Sequence, residues 1–154
     1  VQGLVSPSPL GTPRRTTVGW DSNRLAMILA VLEARAGVQI GQNDVYLNVA
    51  GGLKVREPAA DLAVAAALLS SLTGTVIPPG TAVFGEIALS GAIRPVGQTE
   101  ARLKEAQKLG LKEAVIASAA ELPGVKGLKV KPMETIMDLV AWSAAQDRGQ
   151  RRIA

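Results

Sequence analysis

The chain has 154 residues, of which 47% are apolar, 19% charged and 3% aromatic, the composition of one globular domain with a sizeable core. It contains no cysteine and no histidine, which excludes Ser-His-Asp and Cys-His catalysis, structural zinc and disulfides in one step. Lys and Arg number 17 against 13 Asp and Glu, and the net charge of +4 favours a polyanionic partner such as nucleic acid.

A core this poor in aromatic residues must be built from Ala, Val, Leu and Ile, whose small branched side chains suit helices packed closely on a sheet. No apolar run approaches the roughly 20 residues that span a bilayer, and no charged segment leads into a signal-like one. With no cysteine to oxidise, a cytoplasmic protein without a membrane partner is expected. The start at Val1 rather than Met leads us to expect a piece of a longer protein.

In chain order, Val1 to Val5 read as a short strand, and Ser6 to Trp20 as a Pro-, Gly- and Thr-rich loop that carries Arg14 and Arg15. Asp21 is a helix N-cap. From Ser22 to Ala36 the apolar Leu25, Ile28, Leu29 and Leu32 recur at spacings of three and four, and Gly37 ends the helix. Val38 to Ile40 and Val45 to Val49 read as strands, the second with Val45, Leu47 and Val49 on its buried face. The diglycine Gly51-Gly52 leads through an extended stretch to Pro58, which suits the first turn of a helix. That helix, Ala59 to Leu72, is apolar almost all round with Asp61 as its only charge, so it belongs at the centre of the fold; Gly74 ends it.

Ala82 to Leu89 and Ala92 to Val96 flank Ser90-Gly91 and read as a β-hairpin. A helix from Gln98 to Leu109, strands at Ala114 to Ala117 and Leu128 to Val130, and a last helix from Met133 to Ala145 follow. Gln146 to Ala154, with Arg148, Arg151 and Arg152, lacks apolar periodicity and is expected to be a basic tail after a domain over residues 1–145. Strands and helices that alternate around a central hairpin predict a mixed α/β, or α+β, single domain.

Few residues carry recognisable chemistry. No G-x-x-x-x-G-K-[ST] phosphate loop occurs, and Gly51-Gly52 with Lys54 nearby reads as a hinge. Glu57 and Asp61 lie where carboxylates stabilise a helix N-terminus. Ser70 and Ser71, near the end of a buried helix, are expected to bond back to the preceding turn, and Ser90 belongs to the hairpin turn. Trp20 is either a stacking surface or a core plug.

Pro58-Ala59-Ala60-Asp61-Leu62-Ala63, then Gly85-Glu86-Ile87-Ala88-Leu89-Ser90-Gly91 and Arg94-Pro95-Val96-Gly97, resemble the proteolytic domain of Lon proteases. In that pattern the catalytic serine falls on Ala59 and the lysine on Glu100, so both members of the dyad are replaced. A narrower resemblance extends over nearly the whole chain. Gly11-Thr12-Pro13-Arg14-Arg15, Gly19-Trp20-Asp21-Ser22-Asn23-Arg24-Leu25, Tyr46-Leu47-Asn48-Val49-Ala50-Gly51-Gly52 and Glu57 to Ala63 resemble the C-terminal Lon-like domain of the RadA (Sms) family of bacterial DNA repair proteins.

The resemblance implies an α/β sandwich of the ribosomal protein S5 domain 2-like type. It further implies a parent protein with a zinc finger and a RecA-like ATPase core, so that ATP, Mg²⁺ and Zn²⁺ are expected there and no cofactor in this chain. By the same resemblance this chain is expected to be no enzyme, but a scaffold for DNA binding and hexameric ring assembly in branch migration, with the recombinase RecA as a partner of the parent. Arg14, Arg15, Arg24, Lys54, Arg56 and Arg94 are the candidate contacts to single- or double-stranded DNA, made to the backbone without sequence preference. The alternatives are a Ser-Lys peptidase and a peptide-binding scaffold that keeps the protease cleft.

Overall fold

The computed structural model describes residues 1–9, 11–120 and 124–151. The first half runs β1 (Gln2–Pro7), β2 (Arg15–Val18), α1 (Ser22–Ala36), β3 (Asn43–Asn48), α2 (Asp61–Thr73) and β4 (Thr81–Val83), with 3₁₀ turns at Ala50–Gly52 and Pro58–Ala60. The second runs β5 (Glu86–Ile87), β6 (Ile93–Arg94), α3 (Thr99–Lys108), β7 (Glu113–Ala117), β8 (Lys129–Met133) and α4 (Ile136–Arg151).

Helix α2 has too few polar side chains to lie on a surface, and it is the element around which the others gather. It touches β1, β4, β5, α1 and α4, and Leu62, Val64, Ala65, Ala66, Leu68 and Leu69 are buried along it. Strand β1 comes so close that a Cβ added to Gly3 meets the carbonyl carbon of Ala67 at 3.2 Å. Helix α1 is fixed at both ends by its own sequence. The Asp21 carboxylate accepts from the Arg24 amide at 2.8 Å, and Gly37, at φ 64°, donates its amide to the last carbonyls.

One sheet has the order β1-β3-β2, with β1 antiparallel and β2 parallel to β3, and α1 makes the crossover that a parallel pair requires. A second sheet, β4-β7-β8, is parallel throughout, and β5 and β6 form a two-stranded hairpin. The apolar interior is divided. A large cluster joins α1, α2, α4 and the first sheet, whereas Leu103 and Ala106 of α3 form a smaller one with Ala114, Ile116 and Leu128. The expected mixed α/β class is the one the chain adopts.

Several elements depart from expectation for local reasons. Arg15–Val18, inside the segment expected to be loop, is strand β2, because the β-branched Thr16, Thr17 and Val18 find a partner in β3. Val38 to Ile40 is not a strand: the Val38 amide continues the α1 cap to the Leu32 carbonyl, and Ile40 enters the core alone at 1% exposure. The long hairpin is broken at Phe84-Gly85. Gly85 donates to the Ala59 carbonyl at 2.8 Å and accepts from the Leu62 amide at 3.1 Å, which ties it to the start of α2. β4 therefore pairs with β7, and only β5 and β6 flank Ser90-Gly91.

Ser70 and Ser71 do not bond to their own preceding turn: Ser70 Oγ donates to the Thr75 carbonyl at 2.7 Å, and Ser71 Oγ accepts from the Val5 amide at 2.9 Å. Helix α4 does not stop near Ala145 but continues to Arg151, through part of the expected tail. Arg152 to Ala154 lie outside the described residues.

Leu68 is fully buried in α2. Leu68→Ala is expected to cost about 2–5 kcal/mol, read from urea unfolding, against under about 0.5 kcal/mol for the exposed Leu109→Ala.

Candidate nucleic-acid interface

The site begins with a glycine. Gly19 has φ 75°, and a Cβ there lies 2.3 Å from the Leu53 carbonyl oxygen and 2.9 Å from the Val49 Cβ, so no other residue fits. The loop after β2 therefore lies flat on the segment after β3, and the Val55 amide donates to the Gly19 carbonyl at 2.9 Å. Residues 19–27 make one wall and residues 54–56 the other of a cleft of about 650 Å³, lined among others by Trp20, Asn23, Arg24, Met27, Lys54 and Arg56.

Of the candidate cations, Arg24, Lys54 and Arg56 thus meet in one place. Their situations differ. Arg24 makes a bidentate pair with Asp61, Nε to Oδ1 and Nη2 to Oδ2, both at 2.5 Å. Asp61 is only 1% exposed and also accepts the Ile87 amide at 3.0 Å. Its hydrogen bond holds the Arg24 guanidinium above its ordinary pKa against the opposing effect of burial. The charge of Arg24 is matched inside the protein, so it positions the cleft. Lys54 and Arg56 are exposed and make no salt bridge among the described residues.

Trp20 is both plug and wall. It is 7% exposed and borders the cleft, and its indole N–H has no hydrogen-bond partner among the described residues, an omission that costs about 1–3 kcal/mol in a buried site. Asn23 and Met27 were not singled out by sequence, although their i, i+4 spacing on the exposed side of α1 was readable.

Arg14, Arg15 and Arg94 lie apart from the cleft. The Arg14 amide donates to Asp44 Oδ1 at 2.8 Å, and this bond is the main cause that lowers the Asp44 pKa below its ordinary 3.8. The Arg15 guanidinium donates to the carbonyls of Asn43, Gly41 and Arg14 and holds the turn before β3. Arg94 is exposed on β6, opposite Glu86. Ala59 is buried at 4% in the turn before α2, and Glu100, on α3, pairs with Lys104 at 2.6 Å. Arg102, which sequence did not mark, bonds Glu57 and the Gly97 carbonyl and stands 5.9 Å from the centre of the Phe84 ring.

A family model described as subunit ChlI of Mg-chelatase matches residues 11–120. The chain belongs to this family. It is 54% identical over 152 residues to the DNA repair protein RadA of Brucella abortus, covering 98% of this chain and 32% of that one. The RadA of Synechocystis is 48% identical over 92% of this chain and 28% of its own length, and that of Aquifex aeolicus 46% over 91% and 31%. The chain spans about a third of the length of these curated relatives.

These matches correct two expectations. A chain expected to be no enzyme matches, over residues 11–120, a family named for a subunit of an enzyme, and the match points to an ATPase region. The expectation of no cofactor in this chain falls with it, because nucleotide and Mg²⁺ go with such a region. The Gly51–Lys54 turn does not fit a triphosphate. Gly51 and Gly52, at φ 80° and 69°, are followed by the extended Leu53 and not by a helix whose first amides face a phosphate. No group of three acidic side chains gathers for a metal among the described residues. No described helix is long and apolar enough to cross a membrane.

Two outcomes follow from the site. Arg24→Ala leaves the buried Asp61 charge without its partner and is expected to cost about 3–5 kcal/mol in chemical unfolding. Asp44 binds its proton less readily when folded than when unfolded, so its ionised form adds stability above the unfolded pKa and loses it as pH falls through the lower folded value. Asp44→Asn is therefore expected to flatten the loss of stability below about pH 4, measured by thermal unfolding across an acid series.

Proposed function

We propose that the chain is the DNA-contacting domain of a RadA-type repair protein, with an S5 domain 2-like, Lon-like sandwich as its fold. The observation that carries this reading is the convergence of Lys54 and Arg56, exposed and in no salt bridge among the described residues, on a cleft whose rim Arg24 is locked by Asp61. The high identity to proteins named for DNA repair supports it.

Lys54 and Arg56 contact phosphates and release condensed counterions, which makes binding strong at low salt and independent of sequence. Arg14, just before β2, and Arg94, on β6, are further candidate phosphate contacts apart from the cleft, whereas the Arg15 guanidinium is engaged by the carbonyls of Arg14, Gly41 and Asn43. Within the full-length protein the domain assembles as a hexameric ring in the cytoplasm, coupled to ATP-driven branch migration and to RecA. A Ser-Lys peptidase finds less support: Ala59 carries no nucleophilic oxygen, and Glu100 is an anion already paired with Lys104.

Lys54→Ala combined with Arg56→Ala is expected to weaken DNA binding and to flatten the slope of log K against log salt by about 0.9 for each duplex phosphate that is no longer neutralised. Fluorescence anisotropy of labelled DNA between low and physiological salt measures it. A slope equal to that of the unaltered domain overturns the assignment of these two residues.

A further inference from the structure

We propose that the cleft between α1 and the 54–56 segment takes one whole nucleotide, its phosphate on Lys54 and Arg56 and its base against Met27 and Asn23. This rests on the DNA-contacting reading and narrows its ligand from a backbone to a unit that includes an unstacked base.

Size is the first argument. About 650 Å³ lies within the range of small-molecule sites, about 300–1,000 Å³, and exceeds what a phosphate group alone needs. The lining is the second. Lys54 and Arg56 both line the cleft, on either side of Val55, which packs against the core. The opposite wall offers what a phosphate has no use for. Met27 is a 45% exposed thioether, polarisable and suited to the face of a base, and Asn23, four residues earlier on the same helix face, has both donor and acceptor atoms for a base edge.

Charge sets the direction. Asp21 also lines the cleft, where its carboxylate accepts from the Arg24 amide and repels a phosphate, and Lys54 and Arg56 are the exposed cations of the lining that attract one. The bidentate pair of Arg24 with Asp61 ties the α1 wall of the cleft to α2. Beneath them Trp20 has an indole N–H that lacks an acceptor among the described residues. In a duplex both faces of a base are stacked, so a nucleotide from a single strand enters more readily. A free nucleoside phosphate presents the same chemistry.

The experiment uses the 154-residue chain with Trp142→Phe, which leaves Trp20 as its one tryptophan. It is titrated with a single-stranded oligothymidylate, a duplex of equal length, dTMP and ATP, and Trp20 fluorescence is followed. The expected result is a saturable change with the single strand, and a ratio of single-strand to duplex affinity that Met27→Ala lowers by at least about fivefold. Labelled-DNA anisotropy gives that ratio with both tryptophans in place, should Trp142→Phe disturb the fold. Saturation by dTMP or ATP alone supports the proposal with a free nucleotide as the source; saturation by the strand alone supports it with DNA as the source. Equal, salt-sensitive binding of single strand and duplex, with no Trp20 response and no effect of Met27→Ala, overturns the nucleotide pocket and leaves the backbone reading standing. Failure of every DNA to bind at low salt overturns the DNA-contacting reading, and failure of dTMP and ATP as well overturns both.

Discussion

The bidentate pair between Arg24 and Asp61 decides more of this structure than any other polar contact. Asp61 opens α2, where the helix dipole favours a carboxylate, and it sits almost wholly inside the protein. Such a charge is tolerable only when it is paired and hydrogen-bonded, and Arg24 from α1 together with the Ile87 amide of β5 supplies three bonds, one to Oδ1 and two to Oδ2. Three elements distant in sequence are thereby set in one geometry. The same pair withdraws one cation from the surface and leaves the neighbouring Lys54 and Arg56 to face outward.

Backbone approach completes what the ion pair starts. At Gly19 the chain passes so close to Val49 and Leu53 that a side chain is impossible, and the two walls of the cleft come from segments held in contact by backbone groups. These contacts fix the backbone of both walls, so that the nucleotide reading leaves only the exposed side chains of Lys54, Arg56 and Met27 to be ordered on binding.

Much of this was legible in the sequence because it is locally encoded. Helix α1 was bounded by Asp21 and Gly37, and the burial of α2 followed from a helix with one charge. What was hidden depends on partners far along the chain. Strand β2 is too short to declare itself without β3, and Phe84-Gly85 breaks the hairpin only because the start of α2 takes the Gly85 backbone bonds. The list of cations was readable as a list. Which of them gather was not, since Arg24 and Arg15 look alike in sequence until Asp61 and the carbonyls of residues 41–43 claim them. The match to the family of Mg-chelatase subunit ChlI likewise has no phosphate loop in this sequence to announce it.

The division of the interior into two clusters has its own consequence. The one built on α3 and the parallel sheet holds few large side chains, mainly Leu103, Ile116 and Leu128, whereas the one around α2 engages three helices and the other sheet. Such inequality sets an expected hierarchy of opening: amides of α3 are expected to exchange with solvent through excursions that leave α1 and α2 protected, so that the region carrying the cleft outlives its neighbour.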